Sequence, residues 1–146
     1  MRLSPMKKSA IRQLILLDYL ASSLAWFCFW THRQHLLTKL SYIDTLDLFM
    51  FRDLVNTLLI IPAGWLFAYL MSGTYFDLYR KSRLNEINRT LIACILGCIA
   101  VSVVVFPNDA GDYSYFINVF SHYLLIHTTI ALVFRLFILN RVKVNL

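Results

Sequence analysis

Apolar residues gather in four long blocks, Gln13–Trp30, Leu54–Met71, Thr90–Phe106 and Tyr115–Leu139, set apart by polar and charged stretches. A helix needs roughly 20 apolar residues to cross a hydrocarbon core of about 30 Å, and each block approaches or exceeds that length. Lone charged residues interrupt the blocks near their ends without breaking them up. The pattern predicts an all-α fold, a single domain over residues 1–146 built as an integral membrane four-helix bundle.

Finer spacing within the blocks marks packing faces. Asp18, Ala21, Ser22 and Ala25 recur at i, i+3, i+4 and i+7, which places them on one side of the first helix. In the third block Ala93 and Gly97 stand beside a stripe of Cys94, Cys98 and Ser102. Small residues let membrane helices approach closely, and that approach supplies their association energy. Pro62 deletes a backbone hydrogen bond in the second block, so with Gly64 beside it a bend is expected there. Trp26 and Trp30 fall towards the outer end of the first block, where amphipathic rings favour the interface. The connection Thr31–Asp53 carries Leu36, Leu37, Leu40, Tyr42, Ile43, Leu46, Leu48 and Phe49, which predicts a short amphipathic segment on the outer leaflet. Ser82 is placed to cap the third helix, with Glu86 in its first turn favoured by the helix dipole. Pro107–Ser114, with two acids and no base, reads as a tight outer turn.

Charge sets the orientation. Arg2, Lys7, Lys8 and Arg12 precede the first block. Arg80, Lys81, Arg83 and Arg89 lie between the second and third, and Arg135, Arg141 and Lys143 end the fourth. Those are eleven of the fourteen Lys and Arg residues, and short loops rich in them stay in the cytoplasm. Both termini are expected inside, an N-in/C-in arrangement. The net charge of +6 then reflects topology and attraction to anionic lipid, and no nucleic-acid partner is expected. The 59% hydrophobic content and mean hydropathy of +0.63 lie above the globular norm. A cleaved signal is not indicated, because the first apolar run holds Asp18 and continues through Leu24, Trp26, Phe27 and Phe29. Cys28, Cys94 and Cys98 show no C-x-x-C or His-paired metal spacing, and no disulfide framework is expected.

Asp18 is the most telling single residue. A carboxylate at the centre of a spanning helix costs about 2.5–3.5 kcal/mol unless it is paired or protonated. It lies six residues past Arg12, and Arg135 lies six residues before Arg141. At 1.5 Å per residue both groups sit about 9 Å inside those flanking arginines, at equal depth on the inner side. An Asp18–Arg135 ion pair between the first and fourth helices is expected, with Arg89 as second choice for the partner. The same Asp18 also suits a polar pocket or proton path. His122 and His127 point about 140° apart, so both cannot line one narrow pore, and neither has a third ligand at metal spacing. No catalytic residue, metal site or cofactor site is expected in this chain. Glu86 is its only glutamate, no serine lies in a nucleophile elbow, and four glycines leave no phosphate-cradling loop.

The string Gly73-Thr-Tyr-x-x-x-Tyr-Arg-Lys-Ser-Arg-Leu-x-Glu86, with Asp18-Tyr-Leu-Ala and Phe134-Arg135-Leu, resembles the N-terminal membrane region of bacterial polyprenyl glycosylphosphotransferases. These enzymes begin exopolysaccharide, capsule or O-antigen repeat units. The resemblance covers nearly the whole chain and implies a multi-pass protein of the bacterial inner membrane. In that family the bundle precedes a soluble linker and a catalytic domain. The catalytic domain uses Mg²⁺ to move a sugar phosphate from a nucleotide sugar to polyprenyl phosphate. No part of that catalytic half matches this chain. The resemblance implies an accessory module that anchors or places the enzyme, makes dimer contacts, and partners a catalytic domain in cis or in trans. Arg80, Lys81 and Arg83 suit the phosphate of a polyprenyl carrier or of anionic lipid, and suit a pure topology signal equally. Two other classes stay open: a small transporter or flippase subunit for polyprenyl-linked sugars, and a non-catalytic membrane interaction protein.

Overall fold

The computed structural model describes residues 5–39, 48–75, 82–105 and 112–144. They form four α-helices: α1 (Pro5–Lys39), α2 (Leu48–Met71), α3 (Arg83–Val105) and α4 (Tyr113–Val144). Among the described residues there is no strand. All four helices are long and apolar enough to cross a membrane.

Each helix outruns the apolar block that announced it. Residues 31–39 continue α1, and α2 already begins at Leu48, so the expected separate amphipathic segment over Thr31–Asp53 is corrected at both of its ends. Helix continues there because Thr31–Lys39 contains no Gly or Pro to stop it, whatever its polarity. Residues 40–47, and with them the middle of that expectation, lie outside the described residues, as does most of the expected turn at Pro107–Ser114. α2 runs on as one helix through Pro62, which is buried. At the start of α3 the Asn85 amide donates to Ser82 Oγ at 3.3 Å, the expected cap.

Contacts between helices give the topology. α1 packs on α2 and on α4, α4 packs on α3, and α2 and α3 touch least of these adjoining pairs. Asp18 meets Arg135 near one end of the α1–α4 pair, and His32 meets His122 near the other, so these helices are antiparallel. Asp18 with Tyr75, and Trp26 with Thr57, show the same for α1 and α2. The result is an up-down-up-down bundle with Lys8, Arg12, Arg83 and Arg141 exposed at one end, called here the basic end.

The core follows four-residue stripes, the rows that let helices pack ridge into groove. In α4 the buried stripe is Val119, Tyr123, His127, Ala131 and Arg135, with Ile138 buried beyond it; in α1 the buried positions include Asp18, Ser22, Trp26 and Ala21, Ala25, Phe29. In α3 the expected face is buried at Ala93, Cys94, Cys98 and Ser102 and half-buried at Gly97, and its stripe extends to Thr90 and Glu86. Aromatic rings fill the centre. Trp26, Phe29 and Tyr123 form a triangle with ring centroids 4.7 to 5.6 Å apart. Trp26 therefore corrects the expectation that placed it at the interface. It is 2% exposed, and its Nε1 donates to Thr57 Oγ1 at 3.0 Å, satisfying the indole within the bundle. The outside is apolar, with Leu16, Leu59, Phe67, Leu96, Leu125 and Phe137 exposed.

Candidate functional site

Arg135 is 2% exposed on the innermost stripe of α4, where a guanidinium must be fully partnered to be tolerated. Three helices and the turn after α2 supply the partners. From α1, Asp18 accepts from Nη2 at 3.1 Å (Oδ2) and from Nε at 3.4 Å (Oδ1), a two-pronged pairing that matches the planar fork. From α3, Nη1 reaches Glu86 Oε1 at 3.1 Å and Thr90 Oγ1 at 2.8 Å. From the turn, Thr74 Oγ1 lies 3.5 Å from Nη1. Beneath the guanidinium, the Tyr69 ring of α2 lies 4.1 Å from its central carbon, a cation–π contact. One side chain thus ties all four helices together.

The turn is built to deliver its share. Gly73 takes a φ of +70°, a left-handed conformation that ends α2 and that L side chains rarely adopt. Its amide donates to the Leu70 carbonyl at 3.0 Å, and that of Thr74 to the Tyr69 carbonyl at 3.1 Å. Arg89, the second choice for Asp18, goes instead to the Gly73 carbonyl at 3.4 Å. Tyr75 folds back over the cluster and its hydroxyl donates to Asp18 Oδ2 at 3.0 Å.

Towards the middle of the bundle the polar contacts continue through rings. Tyr69 shares a hydrogen bond with His127 Nε2 at 3.2 Å and lies 3.8 Å from Cys94 Sγ. His127 stacks on Trp65 at 3.7 Å between centroids, tilted by 18°. Trp65 Nε1 in turn donates to Tyr123 OH at 3.0 Å. His127 and His122 separate as their spacing requires. The first is buried, whereas His122 is exposed, donates from Nδ1 to the Asn118 carbonyl at 2.8 Å and stacks on His32.

Of the residues singled out in the sequence, the structure brings Asp18 and Arg135 together and places Arg83 exposed at the start of α3. Arg80 and Lys81 lie outside the described residues. Sequence reasoning missed Glu86, Thr74, Thr90, Tyr75 and Tyr69 as partners of the pair. A signal for two of them was present: Glu86 and Thr90 continue the Ala93, Cys94, Gly97, Cys98 stripe at helical spacing.

Chemically the cluster is a closed clasp. Asp18, Glu86 and Arg135 are 2%, 5% and 2% exposed, so their carboxylate and guanidinium groups face one another and not a substrate. Among the described residues no three His, Cys, Asp or Glu side chains group so as to hold a metal ion. No protein-family model matches the chain, and no curated protein or solved structure matches it either.

Proposed function

We propose that this chain is the membrane-anchoring and assembly module of a polyprenyl-phosphate sugar-phosphate transferase of bacterial polysaccharide synthesis. In this reading it spans the inner membrane four times with both termini in the cytoplasm. The catalytic domain is supplied in cis or in trans. One observation carries the reading: the pieces of sequence on which the resemblance rests converge on Arg135. Asp18 from the first piece, Thr74, Tyr75 and Glu86 from the two ends of the long string, and Arg135 from the last are all members of the clasp. The residues that carry the resemblance are thus the ones that join the four helices, which is what supports the reading.

The clasp also supports an anchoring role over a transport role. A route for a polar cargo would have to continue from Asp18 past His127. The stacked Trp65, with Tyr123, Trp26 and Phe29 beyond it, fills that line with buried rings. At the basic end the clasp pins both flanks of the stretch containing Arg80 and Lys81, since Thr74 lies before it and Glu86 after it. In the proposed orientation Arg83 sits at the cytoplasmic headgroup level, where a basic residue contributes about 1 kcal/mol towards anionic lipid.

Two measurements test the placement. A reporter fused after Asp109 is expected outside and one after Leu146 inside; the reverse pattern overturns the orientation. Arg80→Ala with Arg83→Ala is expected to lower the polyprenyl phosphate or anionic lipid retained by detergent-purified protein. Unchanged lipid content in native mass spectrometry removes the phosphate-holding role and leaves those residues as a topology signal.

A further inference from the structure

At the end of the bundle remote from the clasp, α1 and α4 meet through two imidazoles. The His32 and His122 rings stack at 4.5 Å between centroids, tilted by 25°. His32 Nε2 is shut off from solvent without a hydrogen-bond partner, whereas His122 Nδ1 is committed to the Asn118 carbonyl of its own helix. Counted at 1.5 Å per residue, His32 stands about 30 Å along α1 from Arg12. That is the thickness of a hydrocarbon core, which puts the pair at the far boundary, within reach of protons from that side.

We propose that the His32–His122 stack is an acid-sensitive latch between α1 and α4: closed while both rings are neutral, and opened by protons arriving from the compartment beyond that end. Two features of the contact make it sensitive. Charging both rings sets like charges 4.5 Å apart, and in a charged His32 the enclosed, unpartnered Nε2 is necessarily an N–H that needs an acceptor. Among the described residues no side chain from another helix accepts a hydrogen bond from either ring. From α1 the titratable neighbour facing His32 is another imidazole, His35, one turn further on. From α4 the stack is faced by the Asn118 carbonyl, and neither α2 nor α3 supplies a described side chain bonded to either ring. Of the four described carboxylates, Asp18 and Glu86 are in the clasp at the other end, whereas Asp53 of α2 and Asp112 just before α4 lie exposed at this end, neither bonded to either ring. Histidine is the side chain whose charge changes in the mildly acidic range, so the latch responds to acidification of the compartment beyond that end. Opening it frees the far ends of α1 and α4 while the clasp holds the basic end together. The inference stands apart from the sugar-transferase reading.

Ring-labelled histidine followed by NMR between pH 8 and 4.5 in detergent tests it without any substitution. The signals of the two imidazoles are expected to respond to pH as one coupled pair. In His32→Phe, which keeps a ring in the stack, that coupling is expected to disappear from the His122 signals. Thermal unfolding reads the opening itself. The native chain is expected to lose more Tm between pH 7.5 and 5.5 than His122→Phe or His32→Phe, with His35→Phe behaving as the native chain. Independent single-step titration of the two rings, or equal acid sensitivity of the native chain and both stack variants, overturns the latch.

Discussion

Arg135→Met is expected to destabilise the bundle by about 3–5 kcal/mol, the largest effect of any single substitution here. Methionine fills most of the arginine's volume, so the loss is not mainly one of packing. It comes from leaving the Asp18 and Glu86 carboxylates, 2% and 5% exposed, without the cation they both face. Neutralising them is expected to reverse most of the damage. Arg135→Met combined with Asp18→Asn and Glu86→Gln removes the charges together, and a buried ion cluster replaced as a unit is often close to neutral in stability. The comparison is Arg141→Met, whose guanidinium is exposed and merely lies 5.5 Å from the Phe137 ring, and which is expected to change stability by less than about 0.5 kcal/mol. Reversible unfolding in mixed detergent measures all three. Equal, small effects at Arg135 and Arg141 would show that the clasp does not hold the bundle together.

Gly97→Ala is expected to destabilise by about 1–3 kcal/mol, although it adds a single methyl group and improves helix propensity. A Cβ at Gly97 would stand far inside van der Waals contact with Cη2 and Cζ3 of Trp65. The indole has little room to retreat, since it is stacked on His127 at 3.7 Å and bonded to Tyr123 OH at 3.0 Å. Gly64→Ala is the control. A Cβ at Gly64 meets nothing within 4 Å, so that variant is expected to match or slightly exceed the native stability. Trp65→Leu in the Gly97→Ala background is expected to be less harmful than Trp65→Leu alone, because the clash disappears with the ring. Equal behaviour of the two glycine variants would contradict the central role given to Trp65.

Both predictions draw on features that the chain shows unevenly. The four helices are legible because apolar blocks of this length have few other uses. Their ends are not, because the helical stretch at Thr31–Lys39 is polar and contains no stop signal, and hydropathy sees only the apolar part of a helix. Asp18 and Arg135 are locatable as neighbours from depth alone, since two opposite charges at equal depth in a bundle have few alternatives to each other. Glu86 was hidden by its position. In the first turn of α3 a carboxylate is already explained by capping and the helix dipole, and nothing local shows that the stripe it heads faces Arg135. Trp26 was hidden differently. Tryptophan near a span end satisfies the interfacial rule, and only the partner Thr57 on α2 makes its burial acceptable. Thr74 and Tyr75 depend on the left-handed turn at Gly73, a conformation that a glycine permits but does not announce.

The central claim is that this bundle serves a sugar-phosphate transferase, and the direct measurement is activity in its company. The chain would be tagged at its N-terminus in its own cells, extracted in mild detergent and captured. The eluate would be assayed for transfer of a sugar phosphate from nucleotide sugars to polyprenyl phosphate in the presence of Mg²⁺. The account predicts transferase activity in the eluate, lost when Arg135→Met is captured in its place. Product mass then assigns the catalytic part: well above 17.1 kDa for one fused in cis, near that value for one that copurifies. A well-folded native bundle that brings down no such activity from membranes containing it would contradict the account.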